Sequence, residues 1–463
     1  MVNTRLPKTR RWKLGAALAL LFLGSAPAAA EHPVATPDDL GGPVFTPLGA
    51  ERSGNATGSI PAWDGGIITP PDTYEPGRHE TDPFPGDTVI YTVTADNLDQ
   101  HSEHLSEGQK ALLQAYPDSW RMNVYRTRRT ASYPDWVYEA VRENARLAEL
   151  STEGKGGVRN ARVSSPFPIP ETGVEVIWNH NLRWRGIRVK RTNGKAAVTR
   201  KGRYSVVLAE LDIGFPYGVR EPTPFTRKYP NLMIGYRSRT IEPSFLAGDG
   251  GLIIEPIDQT ESARKSWLYN RALKRVVRTP TFGYGMPGAD TDGLRTVDEF
   301  ELFNGSPYMY EWRLLGKREL LIPYNSYRIH SSDLKYDDVL HRDHVNPELV
   351  RFELHRVWVV EGRLKDGMRH VYSRRVFYVD EDSWQISVSD SYDLEGGLWR
   401  TAMAHGLNYY TVPVHLSTLE VFHDLEEQRY YVDGLDNRRA PYEFLEGADP
   451  REFSPNALPY YVR

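Results

Sequence analysis

The chain has 463 residues, no cysteine, and 57 basic against 61 acidic side chains. The lack of cysteine removes disulfides, zinc thiolate sites and cysteine nucleophiles. A slightly acidic balance argues against nucleic acid or anionic membrane surfaces as main partners, and 27 Tyr, 11 Trp and 15 Phe suit broad sheets with amphipathic surfaces.

The first thirty residues read as an export signal. Arg5, Lys8, Arg10, Arg11 and Lys13 make a basic start, and residues 14–24 are an apolar run too short to span a bilayer. Ala28-Ala29-Ala30 is a cleavage site, so the expectation is cleavage after Ala30 and a periplasmic address. Arg10-Arg11 faintly resembles a twin-arginine signal, but Lys13 stands where such signals prefer an apolar residue, which favours the general secretory route. Losing five of the 57 basic residues leaves 52 against 61 acids, a net charge near −9. No later segment is apolar enough to cross a membrane as a helix.

Residues 31–95 are rich in Pro and Gly and lack long periodic runs, which predicts an extended arm wrapped on the body. Residues 96–160 form a helical segment. Ser106 is placed to cap a helix over 107–116, with Ala111, Leu112 and Ala115 on one face, and 135–150 repeats Val137, Val141, Ala145 and Ala148 at helical spacing. Gly154 to Gly157 is a loop. From 161 to the end the period becomes two, predicting a sheet body. Strands are expected at 174–178, 204–211, 232–236 and 252–257, with turns at Asn193-Gly194 and Asp249-Gly250-Gly251. Residues 262–278 read as a hairpin turning at Asn270-Arg271, and Thr296 is placed to cap a helix over 297–303. In 350–360 the even positions Val350, Phe352, Leu354, Trp358 and Val360 alternate with Arg351, Glu353 and His355. Asp366-Gly367 then turns the chain, and strands follow at 371–379, 384–389, 398–410 and 414–422. A long antiparallel sheet with few helices covers its apolar face by curling or by packing helices across it. The fold class expected is mainly β (α+β), a large curved antiparallel half-barrel with capping helices.

Several strings carry a resemblance: LGAERSGN at 48–55, IPAW at 60–63, SEGQKAL at 106–112, FPIP at 167–170 and VIWNH at 176–180. With them stand DGLRTVD at 292–298, Tyr324-Asn325 with Tyr327, ELHRVWVV at 353–360 and DEDSW at 380–384. Spread in order over the mature chain, they resemble a proteobacterial family of unknown function, labelled outer-membrane lipoprotein-sorting proteins, that is similar to the LolA/LolB carriers. The resemblance implies a curved half-barrel around an apolar cavity for acyl chains. It implies a hydrophobic or lipid ligand and envelope partners such as an RND-type exporter or an outer-membrane protein. Residues 266–269 and 275–278 also resemble a hairpin of those carriers. No catalytic residue comes with the family.

Other patterns weigh little. Gly283-Tyr284-Gly285-Met286-Pro287-Gly288 matches G-x-G-x-x-G, but Pro287 interrupts it and no βαβ unit surrounds it. His341 and His344 with Asp337, Asp338 and Asp343 read as a polar loop rather than a metal site. There is no H-E-x-x-H and no G-x-S-x-G. Neither a metal nor another cofactor is expected, and the chain is not read as an enzyme.

The aromatic set says more. Trp178, Trp267, Tyr269, Trp358 and Trp384 are read as strand residues on or near apolar faces, either packed core or the lining of an open cavity. Phe352, Leu354 and Ile386 complete that candidate lining. Arg356 interrupts the apolar face between Leu354 and Trp358, so it either pairs with a carboxylate on a neighbouring strand or meets an acidic ligand head. The leading expectation is a periplasmic carrier of hydrophobic cargo. The alternatives are an interaction protein of an envelope complex with a filled core, and behind that a periplasmic enzyme with an unrecognised site. An outer-membrane barrel fits poorly with the helices, the Pro-rich arm and the ending Tyr-Tyr-Val-Arg.

Overall fold

Alternation of apolar side chains on successive strands builds a sheet that is buried on both faces through most of its width. The computed structural model describes residues 36–463, apart from 152–155, 280–282, 448 and 450. The predicted export signal with its cleavage site lies outside the described residues, as do residues 154 and 155 of the loop read at 154–157, of which Gly157 opens a strand.

Residues 36–90 hold one 3-10 turn, Pro37–Asp39, and no strand or α-helix. Next come β1 (Tyr91–Val93), α1 (Leu98–His101), α2 (Glu107–Ala115), β2 (Met122–Val124) and α3 (Asp135–Leu147). Ser106 caps α2 as expected: its hydroxyl accepts from the Gln109 N–H at 3.1 Å, and Gln109 Oε1 accepts from the Ser106 N–H at 2.9 Å. A two-stranded ribbon, β3 (Glu149–Ser151) with β4 (Gly157–Arg159), precedes α4 (Gly173–Leu182). Then follow β5 (Arg188–Val198), β6 (Val206–Gly214), α5 (Pro224–Lys228), β7 (Leu232–Glu242), β8 (Gly250–Pro256), β9 (Lys265–Asn270) and β10 (Arg275–Arg278). The next elements are β11 (Tyr310–Pro323), α6 (Tyr336–Val339), β12 (Phe352–Leu364), β13 (Arg374–Asp380) and β14 (Ile386–Tyr392). The chain closes with β15 (Leu398–Tyr409), β16 (Val414–Asp424), β17 (Arg429–Leu435), β18 (Glu443–Leu445) and α7 (Leu458–Tyr461). No helix of the described residues is long and apolar enough to cross a membrane.

Sixteen strands form one sheet in the order β1-β2-β12-β13-β14-β15-β16-β17-β5-β6-β7-β8-β9-β10, with β11 also beside β12 and β18 beside β5. Neighbours are antiparallel apart from the short β2–β12 contact at Phe352 and Val124. The path runs open from β1 to β10 and does not close into a barrel. The fold is mainly β, with an antiparallel sheet and few helices.

Both faces of the middle strands are apolar. Val376, Tyr378, Val388, Met403, Val421 and Val432 pack in a core with Leu112 and Leu113 of α2. Phe377, Val379, Ile386, Ala402, Phe422 and Tyr431 pack in a second core with Val137 and Val141 of α3 and Val176 and Ile177 of α4. The even positions of β12 divide between these cores, Phe352 and Leu354 joining the first and Trp358 and Val360 the second. A long twisted strand meets different covers along its length.

Several local expectations change. Gly250 and Gly251, read as part of a turn, instead open β8. Residues 174–178 are not a strand but part of α4, because Glu175 Oε2 accepts from the Thr172 N–H at 2.9 Å and starts a helical turn. Asn193-Gly194 is not a turn but the middle of β5, where β17 and β18 share one strand edge. Gly194 allows this crossing, since a Cβ there would sit 2.9 Å from the Leu435 carbonyl. The helix at 297–303 shrinks to a 3-10 turn, Phe300–Leu302, with Glu301 at φ 52°, where its carboxylate reaches Arg183 and Arg185 at 2.8 and 2.6 Å. Trp384 lies not in a strand but in the turn before β14, at φ 59°, held by its N–H donating to the Asp380 carbonyl at 2.9 Å.

Candidate functional site

From β13 to β17 nearly every residue is buried, whereas along β9 and β10 most are exposed or half-buried. Directly paired residues of antiparallel strands share a face. Trp267 pairs with Leu252 and Arg278, and Tyr269 pairs with Val276, so these five side chains lie on one side of the wing formed by β8, β9 and β10. Leu268 and Val277 lie on the other side.

The C-terminal segment folds back onto the first side. Phe453, Leu458 and Val462 bury against Leu232, Leu252 and Tyr269. Gly250 permits the approach, because a Cβ there would lie 2.4 Å from both the Ser238 carbonyl and Val462 Cγ1. Charge clamps the segment in place. Asp212 accepts from Arg188 and Arg237, each at 2.6 Å, and Glu452 accepts from the same pair at 2.9 and 3.2 Å. Burial by itself raises the Asp212 carboxyl, but the hydrogen bonds and charges of the two arginines outweigh it and hold the group below the usual carboxylate range. Arg237 also lies over the Tyr461 ring at 4.2 Å.

Between this segment and the β9–β10 hairpin an open cleft of about 630 Å³ remains. Trp267, Val276, Pro455, Pro459 and Tyr460 form its apolar wall, Arg278 and Arg463 bring positive charge, and Asn456 brings an amide. Tyr460 is 74% exposed, and Arg463 rides over its ring at 5.5 Å. Arg278 has no carboxylate partner among the described residues. The volume falls in the range of small-molecule sites, roughly 300–1,000 Å³. A hollow inside the body, lined by Arg191, Glu301, Glu420 and Tyr442 among others, measures about 30 Å³, enough for about one water. Chemically, the cleft offers flat apolar contact next to two guanidinium groups.

Of the residues picked out in the sequence, Trp267 lines this cleft and Tyr269 packs beside it. The others lie elsewhere. Trp178, on α4, packs with Leu182, Val189 and Leu211. Phe352 and Leu354 belong to the core under α2, and Trp358, Trp384 and Ile386 to the core under α3 and α4, with the two indoles stacked at 6.3 Å. Sequence reasoning did not single out Arg278, Tyr460 and Arg463, which line the cleft. The available signal was the Pro and aromatic density after the last strand, at Phe453, Pro455, Pro459, Tyr460 and Tyr461.

Arg356 is buried and paired. Its Nη1 donates to the Ser53 carbonyl at 3.1 Å and to Glu381 Oε1 at 3.3 Å, and its Nε lies 3.4 Å from Glu51. Lys317 bridges Glu51 and Glu381 at 3.0 and 2.8 Å. Arg129 donates in a fork to Asp382 at 2.7 and 2.9 Å, and donates to the carbonyls of Glu51 and Pro61. Trp384 Nε1 donates to the Leu48 carbonyl at 3.1 Å. The strings at 48–55, 353–360 and 380–384 therefore meet at one buried network that fastens the arm to the sheet.

Among the described residues two histidine–carboxylate groups converge, His79 with His330 and Asp436, and His355 with Asp380 and Asp382. In the first group His330 Nδ1 and both His79 nitrogens are in use, while His330 Nε2 has no hydrogen bond and lies 3.4 Å from Glu80. His330 Nδ1 lies 2.7 Å from Asp436 and 2.9 Å from Thr418, and both ring nitrogens of His79 face carbonyl oxygens, at 3.1 and 2.9 Å. His344, from the loop weighed in the sequence, is buried with its nitrogens on the Val345 carbonyl and the Ser119 hydroxyl.

Comparison with known proteins gives the family. A protein of Pseudomonas aeruginosa, described as uncharacterised, is 41% identical over 418 residues, covering 90% of this chain and 91% of its own. A solved domain described as an outer-membrane lipoprotein-sorting protein, from Vibrio parahaemolyticus, is similar at 15% identity and a TM-score of 0.41, over 59% of this chain and 91% of that one. A LolA-superfamily protein from Nitrosomonas europaea is similar at 11% identity and a TM-score of 0.37, over 62% and 98%. The family model described as protein of unknown function, DUF1329, matches residues 92–459, and the chain belongs to that family.

Proposed function

We propose that the protein is a periplasmic carrier of an anionic amphiphile, a molecule with an apolar chain and an acidic head, which it holds in the cleft beside α7 and passes to an envelope exporter or outer-membrane partner. The observation that carries this reading is one open hollow that joins an aromatic and proline wall to Arg278 and Arg463. Burying a methylene gains about 0.8 kcal/mol, so a half-dozen against Trp267 and Tyr460 gain roughly 5 kcal/mol gross. A guanidinium fork recognises carboxylate or phosphate with two parallel hydrogen bonds. An open cleft covers the chain on one side only, which leaves a route for release. The periplasmic address rests on the export signal read at residues 1–30.

Native mass spectrometry with lipid extraction, followed by displacement of a fluorescent fatty acid, tests this. The expected result is a co-purifying amphiphile and a probe affinity that falls about tenfold in Trp267→Ala. In Arg278→Gln, probes with an acidic head should weaken several-fold while neutral ones hold. A protein that purifies empty and ignores the probe overturns the reading.

A second reading has its own observation. Leu268 and Val277 are 51% and 46% exposed on the outer side of the hairpin, where β10 ends the sheet. An edge of this kind suits docking of another envelope protein. A partner captured by the native chain but not by Leu268→Glu, with no amphiphile bound, would select it.

A further inference from the structure

The second histidine–carboxylate group lies far inside the sheet, at the meeting of β12 with the turn after β13. His355 is buried, its ring stacked on Tyr324 at 4.0 Å. Its Nε2 lies 3.2 Å from Glu353 Oε2. Glu353 is itself held by the Arg351 guanidinium at 2.6 Å, the Asn325 amide at 2.8 Å and the Arg128 N–H at 2.8 Å. A carboxylate so engaged only accepts, so Nε2 carries a proton. Nδ1 faces two more carboxylates, Asp380 Oδ1 at 3.6 Å and Asp382 Oδ2 at 4.0 Å.

Both separations exceed a hydrogen bond, for which 2.7–3.2 Å is the ordinary range. Asp380 Oδ1 has no hydrogen-bond partner although the residue is 0% exposed. The rest of the cluster is satisfied: Asp380 Oδ2 accepts from Ser383 Oγ at 2.5 Å, and Asp382 is forked by Arg129. A buried carboxylate oxygen without a hydrogen bond, beside two further carboxylates, calls for positive charge, supplied by a proton on Nδ1 or by a metal cation that takes the Nδ1 lone pair. Ligands about 2.0–2.2 Å from a tetrahedral zinc ion lie about 3.4 Å from one another, close to the spacing found. The Glu353–His355 contact is also the carboxylate–histidine pairing that orients metal-binding imidazoles.

We propose that His355 Nδ1, Asp380 Oδ1 and Asp382 Oδ2 bind a divalent transition cation of the zinc class, with Glu353 as the positioning residue for His355. The inference departs from the sequence, which predicted no metal, and stands independently of the carrier reading. Three protein donors leave one position of a tetrahedral ion for water or another small ligand. Because Asp382 also grips Arg129, and Arg129 holds the carbonyls of Glu51 and Pro61, the ion would brace the joint between arm and sheet.

The test is metal analysis of the purified chain after unfolding in chelator and refolding with zinc. The expected result is one zinc per chain retained through gel filtration, a melting temperature raised by zinc over the chelated protein, and a cobalt(II) form with visible d–d absorption. Asp380→Asn and His355→Gln, which keep the side-chain volume, are expected to lower retention at least tenfold. Trp267→Ala is expected to retain zinc fully, which separates this site from the cleft. Should the two variants fail to fold, the native chain still decides. A native chain that refolds equally well without metal, retains none and gives no cobalt spectrum overturns the proposal, leaving a protonated His355 between its carboxylates. Folded variants that bind zinc like the native chain also overturn it.

Discussion

The middle of the sheet and its β8–β10 wing follow the same strand pattern and end in opposite states. Strands β13 to β17 are covered on both faces, by α2 on one side and by α3 and α4 on the other, and their side chains fill the space. The wing is covered on one face by the C-terminal segment that carries α7, and there a cleft stays open. Alternation sets which side chains share a face, but the cover decides whether that face becomes core or site. The middle is thus a scaffold held by packing and buried charge, and the wing keeps an open cleft.

The largest expected effect breaks the middle. Arg129→Ala leaves Asp382 buried without its fork and frees the carbonyls of Glu51 and Pro61, a loss of about 3–5 kcal/mol. Chemical denaturation should show a matching fall in midpoint, and limited proteolysis should cut first in the arm.

The two regions should also separate by pH. In the middle, burial lowers the His330 ring, but Asp436 and Glu80 outweigh it and raise the group to about 10. Its folded pKa lies above the unfolded value near 6.5, so its contribution is present in full below that value and lost as pH rises through about 10. The groups facing it are His79, Glu80, Asp436, Thr418 and Tyr409. In the wing, Asp212 is depressed, so the clamp it forms is intact above about pH 4, the ordinary carboxylate range, and is lost as pH falls through the folded value. Hydrogen exchange is expected to report loosening of residues 79–80 at alkaline pH and of the segment near Glu452 at acid pH. The reverse order would undo the division into a packed middle and an open wing.

The smallest expected effect lies at the cleft. Trp267→Ala, on a half-buried residue, should change stability by about 1 kcal/mol or less while abolishing most probe binding. Trp384→Ala, in the filled core, should cost about 3–5 kcal/mol and leave the cleft's affinity in the surviving folded protein unchanged. Paired melting and binding curves of these two variants set scaffold against site.

Much of this was legible in the chain. The strands from β12 to β16, the β9–β10 hairpin and the Ser106 cap follow from local periods and turn chemistry, which act between residues close in sequence. Residues 174–178 misled because Val-Glu-Val-Ile-Trp satisfies both periods; the Thr172…Glu175 capping pattern was the sign that favoured a helix. Asn193-Gly194 misled because its glycine serves a crossing with Leu435, some 240 residues away, rather than a turn.

By itself the sequence determined the β class, the antiparallel order of the meander and the family. These rest on side-chain periodicity and on strings read in place. Only the tertiary structure decided that Trp358, Trp384 and Ile386 lie in a filled core and that Trp267 lies at an opening. It alone set residues 455–463 against the hairpin and turned Asp380 and Asp382 toward His355. Each of these depends on which distant segment covers a face, and alternation records only which side chains share one.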